Sequence, residues 1–588
     1  MAESPLTNAD GPVGVTIRTE GSAIPDATMV VSVRVRREVN RIPEAQVVIE
    51  AGSIPEQSFP EVDAATYGLG KAITIAAHYG SGEDQQIFSG VIVSQRLRIA
   101  ESRGPRLELL CRDKAIALTR GRKSALYAAS KDSDIFSRIV SDAGLTVEVT
   151  ATTDSARDQL RHDATGWDFM RLLADRNGHL ITVDAGKVTS APPDMSAAAV
   201  LTLTLGEDIV AFDAEANTEG LYKTAGGLGW DDAAQDAVEG KGGALPTMTW
   251  GDRSSTELAG VPSDRAHIFT SPVKLEPSDI KTFADSRLAR SVLCSIQGSV
   301  TFPGSGVAEP GKMIELKGIG AHFGGNAFVS GVVHEIVAGS WTTRAQLGQP
   351  ANWLSDGDGF AGGFAAGLTA PIHGLHIGKV VQIHEDPDGR QRIKLKLPLI
   401  GAEPAQIWAR FAQPYASGSA GIQFMPEVND EVVVAFMNSD PNAPVVIGAL
   451  HNGQAAQPIT PEAENKLKTI QTREALKIEF DDDRKIITVS TPGGHSMVMD
   501  DDAQSITLKD SNGNSIEMSS GGIVIDSPKD IAIKATGKID VTATGDATLS
   551  GMNVTANAQT QLTTKGGASA ELSAGGQTTV KGAMVMIN

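Results

Sequence analysis

A chain of 588 residues, 41% of them hydrophobic, is long enough for several domains with sizeable cores. Its formal charge of -20 argues against nucleic acid or an anionic membrane as the main electrostatic partner. Two cysteines, Cys111 and Cys294, make no disulfide framework and fit assembly in a reducing cytoplasm, and Met1-Ala2-Glu3-Ser4-Pro5 lacks the basic region and apolar core of a signal peptide.

Residues 1–130 alternate apolar and polar side chains over 29–35, 46–49, 72–76, 87–93 and 107–111, with turn signals between, and are expected to form a first β-barrel-like domain. Within it the Arg34-Val35-Arg36-Arg37 cluster reads as a solvated strand face. Residues 131–195 are expected to connect through two helices. Asp132 or Ser133 caps the first, which carries Ile135, Phe136, Ile139 and Val140 on one face and stops at Gly144. The second opens at Thr165, with Asp168 at capping-box spacing, and presents Phe169, Leu172 and Leu173 before Asn177-Gly178 ends it; Trp167 is expected in the core.

A second β domain is expected over residues 196–355, with a Gly/Asp-rich long loop over 230–264 and a helix starting at Ser278 that carries Ile280, Ala284 and Leu288. Residues 356–371 read as a Gly-rich linker. Over 372–455, five short strands are expected at 376–384, 390–397, 406–413, 431–437 and 444–450, with Asp386-Pro387-Asp388-Gly389 turning between the first two. That pattern suggests an OB-type barrel. The acidic chain and the lack of an aromatic-basic strand pattern point to scaffolding rather than oligonucleotide binding.

Residues 456–470 read as a polar linker into a collar over 471–530. Its strands are expected at 476–480, 486–490, 496–499, 506–508, 516–518 and 523–525, with Asp481-Asp482-Asp483 and Asp500-Asp501-Asp502 at turns. From 531 to 588 the sequence falls into near-octads: Ile531 and Ile533 recur as Ile539 and Val541, then as Ala547 and Leu549, with Gly537 and Gly545 between. The spacing slips around Val554, Leu562, Leu572 and Val580 and stops at Met584-Val585-Met586-Ile587-Asn588.

Two buried side chains return roughly 3–6 kcal/mol per octad, whereas ordering eight backbone residues costs about 8–16 kcal/mol. A lone narrow ribbon also leaves both edges open. Three copies winding about one axis supply the missing hydrogen bonds and core, and cyclic symmetry closes the assembly. Ile531, Ile533, Ile539, Val541, Leu549 and Val554 are the expected trimer core, and Met584 through Asn588 the blunt end.

No catalytic constellation emerges. His334-Glu335 and His384-Glu385 lack the second His of a helical zinc motif. His373 and His376 read as an ordinary loop pair, Gly318 and Gly320 as a turn, Ser417 to Gly421 departs from the nucleophile elbow, and Cys111 reads as a buried strand residue. No enzyme activity, cofactor or metal is expected.

The succession resembles the VgrG spike proteins of contractile injection systems and the hub and spike proteins of contractile phage tails. The resemblance rests on Asp163 through Gly178, with Trp167, Phe169, Arg171 and Leu172; on Pro310-Gly311, Glu315 to Gly318 and Phe328 to Glu335; on Gly493 to Asp501; and on Gly582 to Asn588. It implies a mainly β, multidomain fold: hub β-barrel domains with a few helices, an OB-fold, and a trimeric β-prism leading into a triple-stranded β-helix needle.

It further implies a homotrimer that caps an inner tube, contacts hub and baseplate proteins, and crosses a target cell envelope transiently. Met584, Val585, Met586, Ile587 and Asn588 would then form a platform for a PAAR-type tip, with effector cargo carried separately. Too few residues separate OB-fold and collar for the lysozyme-like domain of some phage relatives, and the effector extension that some VgrG proteins carry after the needle is not expected. A concealed cell-wall-degrading activity and a glycan-binding adhesin are the rival readings. A compact spike of this kind is expected to be made in the cytoplasm and assembled into a particle, released or phage-tail-like rather than cell-anchored.

Replacing both Ile539 and Val541 with Asp is expected to prevent trimer formation. A stable, folded trimer of that double variant in light scattering would refute the axial-core assignment.

Overall fold

The computed structural model describes residues 3–100, 104–231, 234, 236–261, 265–271, 274–356, 364–398 and 405–587. It divides into two compact units, Met1–Ala456 and Gln457–Asn588.

The first unit is built on a 13-stranded sheet. The alternating segments of the first β region form antiparallel strands, including Val30–Glu38, Glu44–Glu50, Ala72–Tyr79, Gln85–Arg98 and Arg106–Arg112, whose inward residues make one core. The two expected β domains are not separate sheets: Gly325–Val337 pairs antiparallel with Val30–Glu38, from Gly331 opposite Glu38 to Val337 opposite Ser32. Ile336 and Trp341 accordingly pack into the core of the first β region.

That seam corrects the reading of the arginine cluster as a solvated face. Arg37 is buried, with Nη2 3.0 Å from Asp184 Oδ1 and 3.6 Å from Glu309 Oε1, while Arg34 and Arg36 meet Glu335 and Glu38. Alternation placed these side chains on strand faces but carried no sign of the distant elements that cover one of them.

The segment 131–195 is more than a helical connection. It holds helices Asp132–Asp142 and Gly166–Arg176, a hairpin of Leu180–Asp184 with Lys187–Ala191 joined in parallel by Thr146–Val149, and Arg157–Ala164 paired with Lys123–Ser130. Thr165 caps the second helix as expected: its hydroxyl accepts the Asp168 N–H at 3.0 Å and donates to Asp168 Oδ2 at 2.7 Å. Gly178, at φ +71°, takes the left-handed turn after it. The first helix departs from expectation, because Lys131 occupies the N-cap position without a side-chain bond and Asp132 lies inside the helix.

Asp132 is instead the centre of a buried ionic cluster. It receives Arg176, whose Nε donates to Oδ2 at 2.5 Å, together with the Gln159 amide at 2.6 Å. Arg157 joins Asp279 at 3.0 Å and Arg290 joins Asp175 at 2.6 Å, so helix Pro277–Leu293 is tied to strand Arg157–Ala164 and to helix Gly166–Arg176. Burial alone pushes the Asp132 carboxyl up, but the guanidiniums of Arg176 and Arg157 together hold it well below the usual carboxylate range.

The expected long loop over 230–264 is largely structured. Thr224–Asp231 and Asp236–Lys241 form a hairpin that Ala266–Ser271 joins in parallel, and Ser254 with Glu257 makes a capping box on helix Ser255–Ala259. Glycine hid the strands from periodicity and lets them approach helix Pro277–Leu293: a Cβ on Gly240 would sit 2.5 Å from Ile280 Cγ2. The expected linker 356–371 is also packed where it is described. Arg287 binds Asp356 at 2.7 Å, Arg176 donates to the Leu368 carbonyl at 3.0 Å, and Leu368, Ala370 and Ile372 are buried; residues 357–363 lie outside the described residues.

The five OB strands close into a barrel: His376–Gln382, Ile393–Leu397, Ala405–Phe411, Pro444–Leu450 and Glu431–Phe436, in that spatial order. The 386–389 turn forms as the residues dictate, with Asp386 accepting the N–H groups of Arg390 and Arg392 at 2.9 and 3.0 Å. Gly389 adopts φ +65°. Hub residues enter this domain directly: Leu160 belongs to the barrel core, and its N–H donates to Asn442 Oδ1 at 3.1 Å.

In the second unit, Leu467–Gln471, Lys477–Asp481, Ile486–Ser490, Ser496–Asp500, Ser505–Lys509, Ser515–Ser519 and Gly522–Asp526 form a seven-stranded antiparallel meander. The first strand takes up 467–470 of the expected 456–470 linker, so the linker is shorter than the sequence suggests. Its two apolar residues, Leu467 and Ile470, fall on opposite faces, which left no alternation to read.

The Asp132–Arg176 pair yields a stability prediction. Arg176→Leu leaves a buried carboxylate with Arg157, 3.8 Å away, as its nearby cation, and is expected to cost about 3–5 kcal/mol, whereas Arg176→Leu with Asp132→Leu costs less. The paired contribution is present above the unfolded carboxyl value and is lost as pH falls through the depressed folded value. Urea denaturation of the single and double variants checks the order; equal losses would contradict it.

Candidate trimerisation surface

The register of the meander decides what its two faces present, because residues directly opposite one another in successive strands share a face. One row runs Ile470, Ile478, Val489, Met497, Leu508, Ile516, Ile525. The row two residues away runs Lys468, Phe480, Ile487, Met499, Ile506, Met518, Ile523. Apart from Lys468, that entire face is apolar. The row between them, on the other face, runs Thr469, Glu479, Thr488, Val498, Thr507, Glu517, Val524.

Turn chemistry holds this register. Asp510 accepts the N–H groups of Asn512 and Asn514 at 2.9 Å each, and the Asn514 side-chain amide at 2.7 Å, which holds its carboxyl down at about 2. Asp481 likewise accepts Arg484 N–H at 3.0 Å and its guanidinium at 2.9 Å, and Asp500 accepts Ala503 N–H at 2.9 Å. The acidic runs therefore sit at turns, as their sequence suggests, and clamp the loops that set the pairing.

Among the described residues of this unit, the apolar face has no cover. Met497 and Ile516 are 37% exposed and Ile525 58%. Val489, Met497, Leu508, Ile516, Ile525 and Ile531 line an open groove of about 640 Å³. Exposed contiguous apolar surface on this scale marks an association site.

The residues expected to form the trimer core continue from that groove. Ile531, Ile533, Ile539, Val541, Leu549 and Val554 are exposed in the single chain, from 52% at Ile539 to 85% at Val541. Among the described residues of 531–587 the chain pairs no strand with itself. Met584, Val585, Met586 and Ile587 are exposed as well, and Asn588 lies outside the described residues.

The two collar rows are the functional residues that the octad argument left out. Their signal was present in the alternation Ser496-Met497-Val498-Met499, Ser505-Ile506-Thr507-Leu508 and Ser515-Ile516-Glu517-Met518. It identified strands without showing that seven of them align their apolar residues on one side.

Elsewhere, residues singled out in the sequence have structural partners. His373 Nδ1 is 3.1 Å from Ser439 Oγ and His376 Nε2 3.1 Å from the His373 carbonyl, while the His376 ring packs edge-on against His162 and Phe436. His334 is buried against Thr343, and burial lowers its imidazole to about 3. Burial pushes the Cys111 thiol up to about 12 and Cys294 up to about 11. Among the described residues, no group of three or more His, Cys, Asp or Glu is arranged to hold a metal.

Because Met497 and Leu508 are cross-strand neighbours at the centre of the apolar face, replacing both with Asp is expected to abolish self-association while leaving the hub and OB domain folded. Size-exclusion light scattering with circular dichroism reads both properties. An unchanged mass would show that this face is not an interface.

Comparison with known proteins accounts for these parts in order. The model of the Alg8 N-terminal domain matches residues 9–338, that of the Type VI secretion system/phage-baseplate injector OB domain residues 376–451, and that of the phage baseplate V C-terminal trimerisation domain residues 485–588. The actin cross-linking toxin VgrG1 of Vibrio cholerae is 31% identical over 87 residues, 14% of this chain and 8% of that protein. The Type VI secretion system spike protein VgrG3 of Vibrio cholerae is 32% identical over 68 residues, 12% and 7% of the two chains. The chain thus spans less than a tenth of the length of these curated relatives.

Two solved structures share the fold at 9% identity. A chain of the half-lidded Francisella PdpA-VgrG complex aligns over 88% of both chains with a TM-score of 0.52, and one of the lidless PdpA-VgrG complex over 88% of this chain and 98% of that one, with a TM-score of 0.51. With a single model covering more than half its length, followed by the OB and trimerisation domains, the chain belongs to the Alg8 N-terminal domain family and is a VgrG-like spike protein.

Proposed function

We propose that this chain works as the homotrimeric central spike of a contractile injection machine. In this reading the hub caps the inner tube and contacts baseplate proteins, the OB domain joins hub to collar, and the C-terminal needle is driven through the target envelope. The observation that carries it is the one-sided apolar collar, which from Ile486 onward lies within the segment matched by the trimerisation domain. Three such faces turned toward one axis remove their apolar residues from water, and the octads beyond continue the same closure with Ile531, Ile533, Ile539, Val541, Leu549 and Val554.

Residues 584–588 are proposed as the platform for a PAAR-type tip, with effector cargo as a further passenger. Exposure of Met584 through Ile587 supports a protein-facing end, since four successive apolar or thioether side chains gain from being covered. The spike is proposed to act mechanically, without catalysis and without binding nucleic acid. Three buried hub carboxylates, Asp132, Asp175 and Asp279, support a structural role, because each is engaged by an arginine. Synthesis in the cytoplasm followed by loading into a particle, for release or delivery to the target envelope, completes the proposal.

The full-length protein is expected to give the mass of three 61.4 kDa chains in light scattering across a range of concentrations. A monomer throughout would remove the reading. Deleting residues 584–588 should preserve that mass and abolish co-purification with a co-expressed PAAR-type protein; a tip that stays bound would overturn the platform.

A further inference from the structure

Between the first hub strands and helix Gly166–Arg176 lies a recess of about 460 Å³. Arg36, Arg41, Arg112 and Arg171 line it against Glu38 and Glu44, with Asn40 and Trp167 beside them. Four guanidiniums against two carboxylates leave an excess of positive charge, in a chain whose formal charge is -20.

Most of these charges are already paired. Glu38 receives Arg36 Nε at 2.5 Å and Arg41 Nε at 3.0 Å, and Glu44 receives Arg112 at 2.8 Å. Arg171 is different. Its Nη1 donates to the Asn40 carbonyl at 2.8 Å, and the carboxylate it reaches, Asp175, stands 3.9 Å away. Asp175 is itself engaged by Arg290 at 2.6 Å and by the Leu354 N–H at 2.8 Å.

Two donors of the lining residues are left over. Arg171 Nε and Asn40 Nδ2 are buried with no hydrogen-bond partner, and Asn40 as a whole is only 3% exposed. The other end of the Asn40 amide is fixed, because Oδ1 accepts the Ile181 N–H at 2.9 Å. Unpaired buried donors are costly, and an occupant that draws the guanidinium or the amide toward itself would recover their bonds.

We propose that this recess is a carboxylate-binding site, with Arg171 and Asn40 as the donors and the Trp167 ring as its apolar wall. A guanidinium matches the planar fork of a carboxylate. The volume suits a small ligand or one inserted side chain. A free dicarboxylate and an Asp or Glu side chain of a protein docked on the hub share this chemistry.

Calorimetric titration of the full-length protein with glutarate, and separately with N-acetyl-glutamate amide, tests it and tells the two sources apart. Saturable binding is expected, tighter for glutarate if the ligand is a free dicarboxylate and tighter for the capped residue if it is a docked side chain. Asn40→Asp keeps the acceptor for Ile181 but replaces the donor by an anionic oxygen, and should weaken binding about tenfold or more. Arg171→Lys, which keeps the charge and removes the fork, decides the matter if Asn40→Asp lowers the melting temperature. No saturable heat with either probe, or unchanged affinity in a folded variant, overturns the site.

Discussion

A single-layer β-sheet cannot bury its own apolar face, and in this chain that constraint governs the C-terminal unit. Seven strands place Ile, Val, Leu, Met and Phe on one side and Thr, Glu and Val on the other. A shift of one residue in any pairing would turn a strand's apolar set outward. The turns are therefore as important as the apolar residues, and the clamped carboxylates of Asp481, Asp500 and Asp510 connect local chain chemistry to the surface that must meet other copies. In the proposed trimer, three-fold closure would satisfy that surface without leaving a free copy of it to recruit further chains.

The hub meets the opposite requirement by the opposite means. Its apolar residues are covered within one chain, by a sheet that crosses between its two β regions at Gly325–Val337 and Val30–Glu38. Its helices are tied by buried ion pairs centred on Asp132 and Asp175. Such pairs add little net stability over apolar packing, but removing one partner is severe, so they fix which helix faces which. Asn442 and Ile372 extend the same logic to the barrel: the first binds the Leu160 N–H, and the second joins the barrel core. Hub and OB domain are thus bound through specific contacts rather than through a free tether.

Periodicity made most elements legible and left their partners hidden. The capped helix at Thr165, the five barrel strands and the 386–389 turn are local phenomena, written in neighbouring residues, and they form where expected. Arg37 is the contrasting case, since its burial depends on Asp184 and Glu309, far along the chain. Asp132 also misled: an acidic residue at a helix start reads as a cap, and only the fold brings Arg176 and Gln159 to it. The hairpin at 224–241 escaped because glycine, chosen there for close approach to a helix, erases the alternation that reveals a strand. For the candidate surface, the octads revealed apolar residues in need of partners, whereas the collar face required knowledge of register.

Dependence on other copies rises along the sequence. The hub and OB residues close their cores within one chain, the collar closes its hydrogen-bond ladder but not its apolar face, and residues 531–587 pair no strand with themselves among those described. Stability that is supplied by association varies with protomer concentration, whereas stability supplied within a chain does not. The two units therefore differ in kind. In the proposed trimer, the first can form as each chain is made, whereas the second gains its stability when copies meet, which couples ordering of the needle to assembly.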